Sequence, residues 1–330
     1  MLKSFFKNYF ELPSSGRKIV CLGGGVGTAT ILKGLKYSNL DLTAIVSMAD
    51  DGGSAGRLRR AYSIPPPGDL VNCLAALSQE ESVIKELFIY RFKGERYGKD
   101  TELGGQKLGN LIFVALCDIY KGDTSRAVEE FSKIISSKGR VLPATIGDVN
   151  IWAITEDGVK VFGEENIDLG NYNSKSRSLK EVHLDPPNIK AYRESLIAIK
   201  EANILIIGPG DLFSTVLPVL LVPQIKELLE HSTAQKVFIT NITNKPFETA
   251  HFTASDYIKV LDRQMPKLKF DKIIINTNQK SKIPQNLNYR YVKYDENRMV
   301  NYKQKLITGD RKSTRLNSSH SDRSRMPSSA

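Results

Sequence analysis

Two adjacent carboxylates, Asp50 and Asp51, stand directly before Gly52-Gly53-Ser54, and Arg57, Arg59 and Arg60 follow within the same short run. Guanidinium groups match phosphate oxygens, and paired carboxylates match a hard divalent cation. The interleaved glycines let backbone N–H groups approach a ligand closely. Past the run come Ile64-Pro65-Pro66-Pro67-Gly68-Asp69 and then Asn72. A turn that only reverses the chain is four residues long. The stretch from Asp50 to Arg60 is therefore expected to be a ligand-facing loop, with Asp50 and Asp51 as candidate ligands for Mg²⁺ or as catalytic acids.

The elements that must hold this loop are legible on either side. Asp41–Val46 is β-branched and apolar enough for a buried parallel strand, and Asn72–Leu77 reads as a helix start. Upstream, Lys18–Leu22 is a short apolar strand running into Gly23-Gly24-Gly25-Val26-Gly27-Thr28, after which Ile31, Leu32 and Leu35 fall at helical spacing. Strand, glycine turn and helix together aim N–H groups and a helix N-terminus at a phosphate. A dinucleotide fingerprint asks for glycine where Thr28 stands. Asp50 falls near the place of a ribose-binding acid, but it opens a glycine and arginine run instead of a simple turn. NAD is therefore not expected, and a nucleotide or nucleotide sugar is preferred.

The same pattern returns later. Asn203–Ile207 is a buried strand that enters Gly208-Pro209-Gly210-Asp211, with Ser214 and Thr215 at a helix start. Two such turns imply one shared crevice at the C-terminal ends of parallel strands, in a doubly wound α/β fold. Further strands are expected at Val141–Thr145, Lys236–Asn241 and Phe270–Asn276. Helices are expected at Glu81–Phe92, Gly105–Tyr120, Thr124 to about Ser137 with Asp123 or Thr124 as cap, and Tyr257–Met265. Asn150–Phe162 reads as a β-hairpin turning at Asp157-Gly158, a peripheral insertion over about 148–165 in which Trp152 packs. Asn110 follows a glycine near a helix start, where its amide could read a base or sugar edge or merely serve the helix end.

Composition narrows the classes. The 330 residues are 41% hydrophobic and 25% charged, an ordinary globular balance. No apolar run reaches the roughly 20 residues of a membrane span. Cys21, Cys73 and Cys117 are scattered singly and the four histidines have no ligand spacing, so neither a disulfide framework nor a histidine metal site is expected. The net charge is +11, of which residues 311–330 contribute +4. That tail lacks an apolar period, resembles a translated sequencing adapter, and is expected to be disordered or artefactual. Nucleic acid is not expected as a partner, because the aromatics lie in apolar runs instead of interleaving with a basic face.

Taken in order, Gly23–Gly27, Ala49–Arg59, Pro66-Pro67-Gly68-Asp69, Gly109-Asn110-Leu111, Val141–Thr145 and Gly208–Leu212 resemble the CofD-like superfamily, most closely its bacterial gluconeogenesis-factor branch. The resemblance covers roughly residues 17–310, leaving 1–16 as an N-terminal extension. It implies a Rossmann-like three-layer α/β/α fold in the cytoplasm. That branch binds nucleotide sugars such as UDP-N-acetylglucosamine and supports gluconeogenic growth, cell shape and cell-wall synthesis. The founding branch is the Mg²⁺-dependent 2-phospho-L-lactate transferase of coenzyme F420 synthesis, which is the alternative reading and the one that would make the chain an enzyme. Under either, Gly23, Gly24, Gly25, Gly27, Thr28, Gly208, Gly210, Ser214 and Thr215 would hold a diphosphate, helped by Gly53, Ser54, Asp69 and Asn72. Arg57 and Arg60 would neutralise its charge, and Asn110 and Asn241 would select the base or sugar. Gln106 stands where this branch usually has histidine, and Asp211 where serine is usual. Asp211 would either recruit a cation or weaken diphosphate binding. A homo-oligomer is also expected.

Overall fold

The computed structural model describes residues 16–78, 83–99, 102–175, 178–280, 282–283 and 288–309. The expected N-terminal extension and the 311–330 tail lie outside them, apart from Gly16. Twelve strands are described: β1 (Arg17–Gly23), β2 (Leu40–Val46), β3 (Arg140–Pro143), β4 (Asn150–Thr155), β5 (Lys160–Phe162), β6 (Leu179–Asp185), β7 (Ile204–Ile207), β8 (Gln235–Ile239), β9 (Thr243–Asn244), β10 (Lys272–Asn276), β11 (Arg290–Tyr291) and β12 (Leu306–Gly309). Seven form one sheet in the order β12-β10-β8-β7-β1-β2-β3, and every neighbouring pair is parallel. All four residues of β7 are buried. Successive side chains in a strand point to opposite faces, so both faces of the sheet are covered. This is the expected doubly wound α/β architecture.

The flanking helices follow from local chemistry. They are α1 (Gly25–Leu35), α2 (Gly53–Tyr62), α3 (Gly68–Leu77), α4 (Val83–Ile89), α5 (Leu108–Ile119), α6 (Thr124–Ile134), α7 (Glu164–Leu169), α8 (Arg193–Glu201), α9 (Leu217–Leu220), α10 (Pro223–His231) and α11 (Ala254–Gln264). Asp123 caps α6 by accepting from Arg126 N–H at 3.1 Å. A reciprocal Thr253 and Asp256 capping box starts α11 three residues before the expected Tyr257. Among the described residues no single helix is long and apolar enough to cross a membrane. The bent pair Leu212–Leu220 and Pro223–His231 has that composition, but Leu212, Phe213, Leu217 and Leu229 are core.

Two expectations are corrected. The acid and arginine run is not a loop throughout: α2 begins at Gly53, and α3 begins at Gly68 instead of Asn72. The glycines that suggested a loop serve a tight helix start. A side chain on Gly56 would meet the Asp51 carbonyl at 1.9 Å, so the first turn of α2 closes directly onto that backbone. The hairpin is part of a larger sheet. β4 and β5 are joined by β6 in an antiparallel sheet, and α7 follows β5 to bring Glu164 and Leu169 to the wall of a cleft. Trp152 packs in this sheet as expected, stacked between Phe162 and His183.

The chain order places a switch point at the middle of the large sheet. From β1 the chain moves outward through β2 to β3, then returns to β7 on the other side of β1 and moves outward again. Ligand crevices in open parallel sheets form at such a point, beyond the strand C-termini. The two glycine turns leave β1 and β7 here and touch. A Cβ on Gly27 would lie 2.3 Å from the Pro209 carbonyl oxygen. Gly27→Ala should therefore lower unfolding stability by about 1–3 kcal/mol in urea titration, as overpacking against backbone does. An unchanged midpoint would show that the two turns are not in this contact.

Candidate functional site

A cleft of about 1160 Å³ opens where the two turns meet. From the first turn Gly24, Gly25 and Gly27 line it. Gly24 is held between Asp69 and Thr215: a Cβ there would lie 2.0 Å from Asp69 Oδ2 and 2.9 Å from Thr215 Cγ2. Gly23 and Thr28 stand behind the lining, with the Thr28 hydroxyl accepting from Gly24 N–H at 2.9 Å and fastening the turn. From the second turn Gly210, Asp211, Ser214 and Thr215 line the cleft, while Gly208 sits below it, its N–H donating to the Leu22 carbonyl at 3.0 Å.

The second turn is braced from within by charge. Glu248 is fully buried, and its carboxylate accepts from Phe213 N–H at 3.1 Å, Ser214 N–H at 3.4 Å and the Ser214 hydroxyl at 2.6 Å. An internal carboxylate thus occupies the helix N-terminus assigned to a phosphate on sequence grounds, and Ser214 is committed to it. Lys245 pairs with Glu248 at 3.2 Å, with Asp211 at 2.8 Å and with Asp168. Asp211 is therefore already paired within its own chain, with the Lys245 ammonium. The carboxylate oxygens of Asp168, Asp211 and Glu248 lie within 4.8 Å of one another, and the Lys245 ammonium pairs with all three. Asn241 does not line the cleft; its Oδ1 accepts from Gly210 N–H at 3.1 Å and shapes the turn from behind.

The two adjacent carboxylates diverge. Asp50 lines the cleft, with Oδ1 accepting from Gly52 N–H at 3.0 Å. Asp51 instead accepts from Glu165 N–H at 2.8 Å at the start of α7. Asp50 shares the cleft with Asp69 and Glu164. The arginines are also redistributed. Arg57 is 1% exposed, and its guanidinium donates to the carbonyls of Lys99 at 2.8 Å, Glu102 at 3.3 Å and Gly104 at 2.6 Å. Arg60 is exposed and donates to the Asp51 carbonyl at 2.8 Å. Neither faces the cleft, so neither stands where it would neutralise a ligand there.

The positive charge comes instead from a pair of chain arms between α4 and α5. Phe92 N–H donates to the Gln106 carbonyl at 2.9 Å, and Gly105 N–H donates to the Phe92 carbonyl at 3.0 Å, which draws the arms together. Arg91, Lys93, Arg96 and Lys107 project from them to line the cleft. Arg91 donates to the Ser54 hydroxyl at 3.1 Å, and Lys107 donates to Asn72 Oδ1 at 2.6 Å. Gly53, with φ of +49°, leaves room for Arg96, whose Nε would lie 2.6 Å from a Cβ at that position. Sequence reasoning passed over these cations. Their only signal was three basic residues across Arg91–Arg96 next to Gly94, with Gly104 and Gly105 before Lys107.

Acids and cations set one another's protonation. Burial, then the Asp50 charge, pushes Asp69 up to about 7, against the Gly25 N–H, Lys107 and Arg96. Burial raises Asp50 as well, opposed first by Arg96. Burial and the Asp50 charge raise Glu164 well above the usual carboxylate range. A carboxyl that titrates near neutrality can exchange a proton with a bound group, and the surrounding cations can receive phosphate oxygens.

A family model described as 2-phospho-L-lactate transferase CofD matches residues 19–312. The chain belongs to the CofD family. Among its relatives, the gluconeogenesis factor of Bacillus subtilis (strain 168) is 43% identical over 274 residues, which is 83% of this chain and 82% of that protein. The gluconeogenesis factor of Halalkalibacterium halodurans is 42% identical over 245 residues, 74% of this chain and 73% of that one. A crystal structure of a protein from Bacillus halodurans matches with a TM-score of 0.80 at 36% identity, covering 90% of this chain and 93% of that chain. Every residue lining the cleft falls inside the stretch that matches the CofD family.

The raised carboxyls have a consequence for stability. Between about pH 4 and about 7 the folded state keeps protons that unfolded carboxyls have released. The ligand-free and metal-free protein should therefore lose stability as pH rises through that interval and level off above it. Asp69→Asn should make the decline shallower in urea titrations at pH 5, 6, 7 and 8. The same slope in variant and wild type would count against a raised Asp69.

Proposed function

We propose that this chain is a gluconeogenesis factor: a cytoplasmic regulatory protein of carbon metabolism, cell shape and cell-wall synthesis that binds a nucleoside-diphosphate sugar of the UDP-N-acetylglucosamine type. The observation that carries the reading is the meeting of both glycine turns with Arg91, Arg96 and Lys107 in one cleft at the sheet's switch point. The names of the relatives support it. The cleft volume of about 1160 Å³ suits a ligand larger than a lone phosphate, since pockets of about 300–1,000 Å³ take ligands of drug size. The diphosphate would lie against Gly24, Gly25 and Gly210, where the backbone is open to close approach, with Thr215 beside it. The three cations would face its oxygens.

The donor set fits a divalent cation brought in with such a ligand. Asp50 and Asp69 both line the cleft, both are raised by burial and Asp69 also by the Asp50 charge, so an Mg²⁺ held by Asp50 and Asp69 would relieve a repulsion already present. Asp51 is engaged at the start of α7 and takes no part. Bound there, the cation would screen the phosphate charge. The second reading, an Mg²⁺-dependent transferase of the 2-phospho-L-lactate type, draws on the family description.

A thermal-shift panel of UDP-sugars, GDP derivatives and NAD, with and without Mg²⁺, tests both. UDP-N-acetylglucosamine at a hundredfold excess over Kd should stabilise the chain by about 2.7 kcal/mol. Asp50→Asn should remove the Mg²⁺-dependent part of the shift. Release of GMP from a lactyl-guanosine diphosphate in the presence of the deazaflavin acceptor Fo would replace the leading reading with the transferase.

A further inference from the structure

The cleft wall built by α5 carries a carboxamide whose oxygen no group among the described residues engages. Asn110 lies in the first turn of α5 and lines the cleft, yet it is 1% exposed and its Oδ1 has no hydrogen-bond partner among the described residues. Gln106, four residues earlier and just before α5, is 2% exposed, and among the described residues neither its Oε1 nor its Nε2 is partnered. Other amides at or near the cleft are engaged: Asn72 accepts from Lys107 at 2.6 Å and Asn241 from Gly210 N–H at 3.1 Å. A buried amide left unpaired costs free energy that an apolar side chain of the same shape would not. Packing does not explain the choice either, because Gly109 supplies the close contact. A Cβ on Gly109 would lie 2.5 Å from the Phe88 carbonyl oxygen and 2.8 Å from Val71 Cγ1, so α5 abuts α4 and α3 at that point. This contact sets the rotation of the first turn of α5 and keeps Asn110 on the cleft.

We propose that Asn110 reads an amide-type group of the ligand, with the unpartnered Gln106 carboxamide a second candidate contact four residues earlier. The inference rests on the nucleotide-sugar reading and narrows it. A carboxamide presents a donor and an acceptor side by side, and its best partner presents the same pair in reverse. The imide edge of a uracil ring does so, whereas the acetamido group of an amino sugar is a trans amide whose N–H and C=O point opposite ways, so it would meet the Asn110 carboxamide through one hydrogen bond. Neutral amides would serve the uncharged part of the ligand, while the neighbouring Lys107 and Arg91 serve its phosphates.

Calorimetric titration of wild type, Asn110→Leu and Gln106→Leu with UDP-N-acetylglucosamine, UDP-glucose and inorganic diphosphate tests this, together with melting of each ligand-free protein. Asn110→Leu should bind UDP-N-acetylglucosamine at least about tenfold more weakly, the scale of one lost hydrogen bond. It should bind inorganic diphosphate as wild type does. Ligand-free, it should melt at the same temperature or higher, because an unpaired buried amide has been removed. Gln106→Leu should show the same pattern with a smaller loss. A loss confined to UDP-N-acetylglucosamine identifies the acetamido group, and an equal loss for UDP-glucose identifies the base. Unchanged affinity for all three probes overturns the assignment, and so does an equal loss for all three. Lower melting of both Asn110→Leu and Asn110→Ser would make the residue a structural one. Wild type that binds no nucleotide sugar would sink the parent reading and this one together, whereas wild type that binds while Asn110→Leu binds equally well sinks this one alone.

Discussion

The direct contact between the Gly27 backbone and the Pro209 carbonyl is the constraint on which the site depends. Adjacent parallel strands with aligned ends bring two turns to one place, and only residues without side chains let them close together. Leu22 faces Ile207 in the register of β1 and β7, so both strands end at the same level. A β-carbon at Gly27 would drive the turns apart, and one at Gly24 would collide with Asp69 and Thr215. The cleft is thus shaped first by backbone meeting backbone. Side chains supply its charge afterwards.

That charge is arranged in two layers with different solvent access. The inner layer is Lys245 with Asp168, Asp211 and Glu248, nearly all withdrawn from water. It leaves one formal negative charge for each carboxylate beyond the first, compensated in part by the N–H groups of Phe213 and Ser214. Breaking one partner of such a buried set strands the others, which is why the set rigidifies the second turn. The outer layer is Asp50, Asp69 and Glu164 facing Arg91, Arg96 and Lys107. Burial and the Asp50 charge raise the Asp69 and Glu164 carboxyls there, while Lys107 and Arg96 restrain the rise at Asp69. A diphosphate with its cation would meet both signs already in place.

Arg57 illustrates how a residue of binding type becomes a residue of architecture. Its planar fork is satisfied by carbonyls of the chain arm after Tyr97. These hydrogen bonds draw the arm that carries Arg96 toward α2. Arg57 therefore bears on the cleft's charge only through the arm it holds. Asn241 and Glu248 act similarly, forming the second turn from behind while leaving its surface to the ligand.

Much of this was legible in the residue order. Strands β1, β2, β7, β8 and β10 stand out as short apolar runs, and both turns announce themselves by glycine, because hydrophobic periodicity and backbone freedom are local properties. So were Gly24, Gly25, Gly27, Asp50, Ser54, Asp69, Asn72, Asn110, Gly210, Asp211, Ser214 and Thr215 as cleft residues. The start of α2 was not, since glycine in a first helical turn and glycine in a loop look alike until Asp51 is seen to lie against Gly56. The turning away of Asp51, the burial of Arg57 and the arrival of Arg91, Arg96 and Lys107 depend on contacts between segments tens of residues apart. A single sequence therefore determined which elements form and that their glycine turns share one edge. Only the tertiary structure decided which charges face the cleft, because a charged side chain goes to whichever partner the packing brings within hydrogen-bond reach, and residue order does not record that distance.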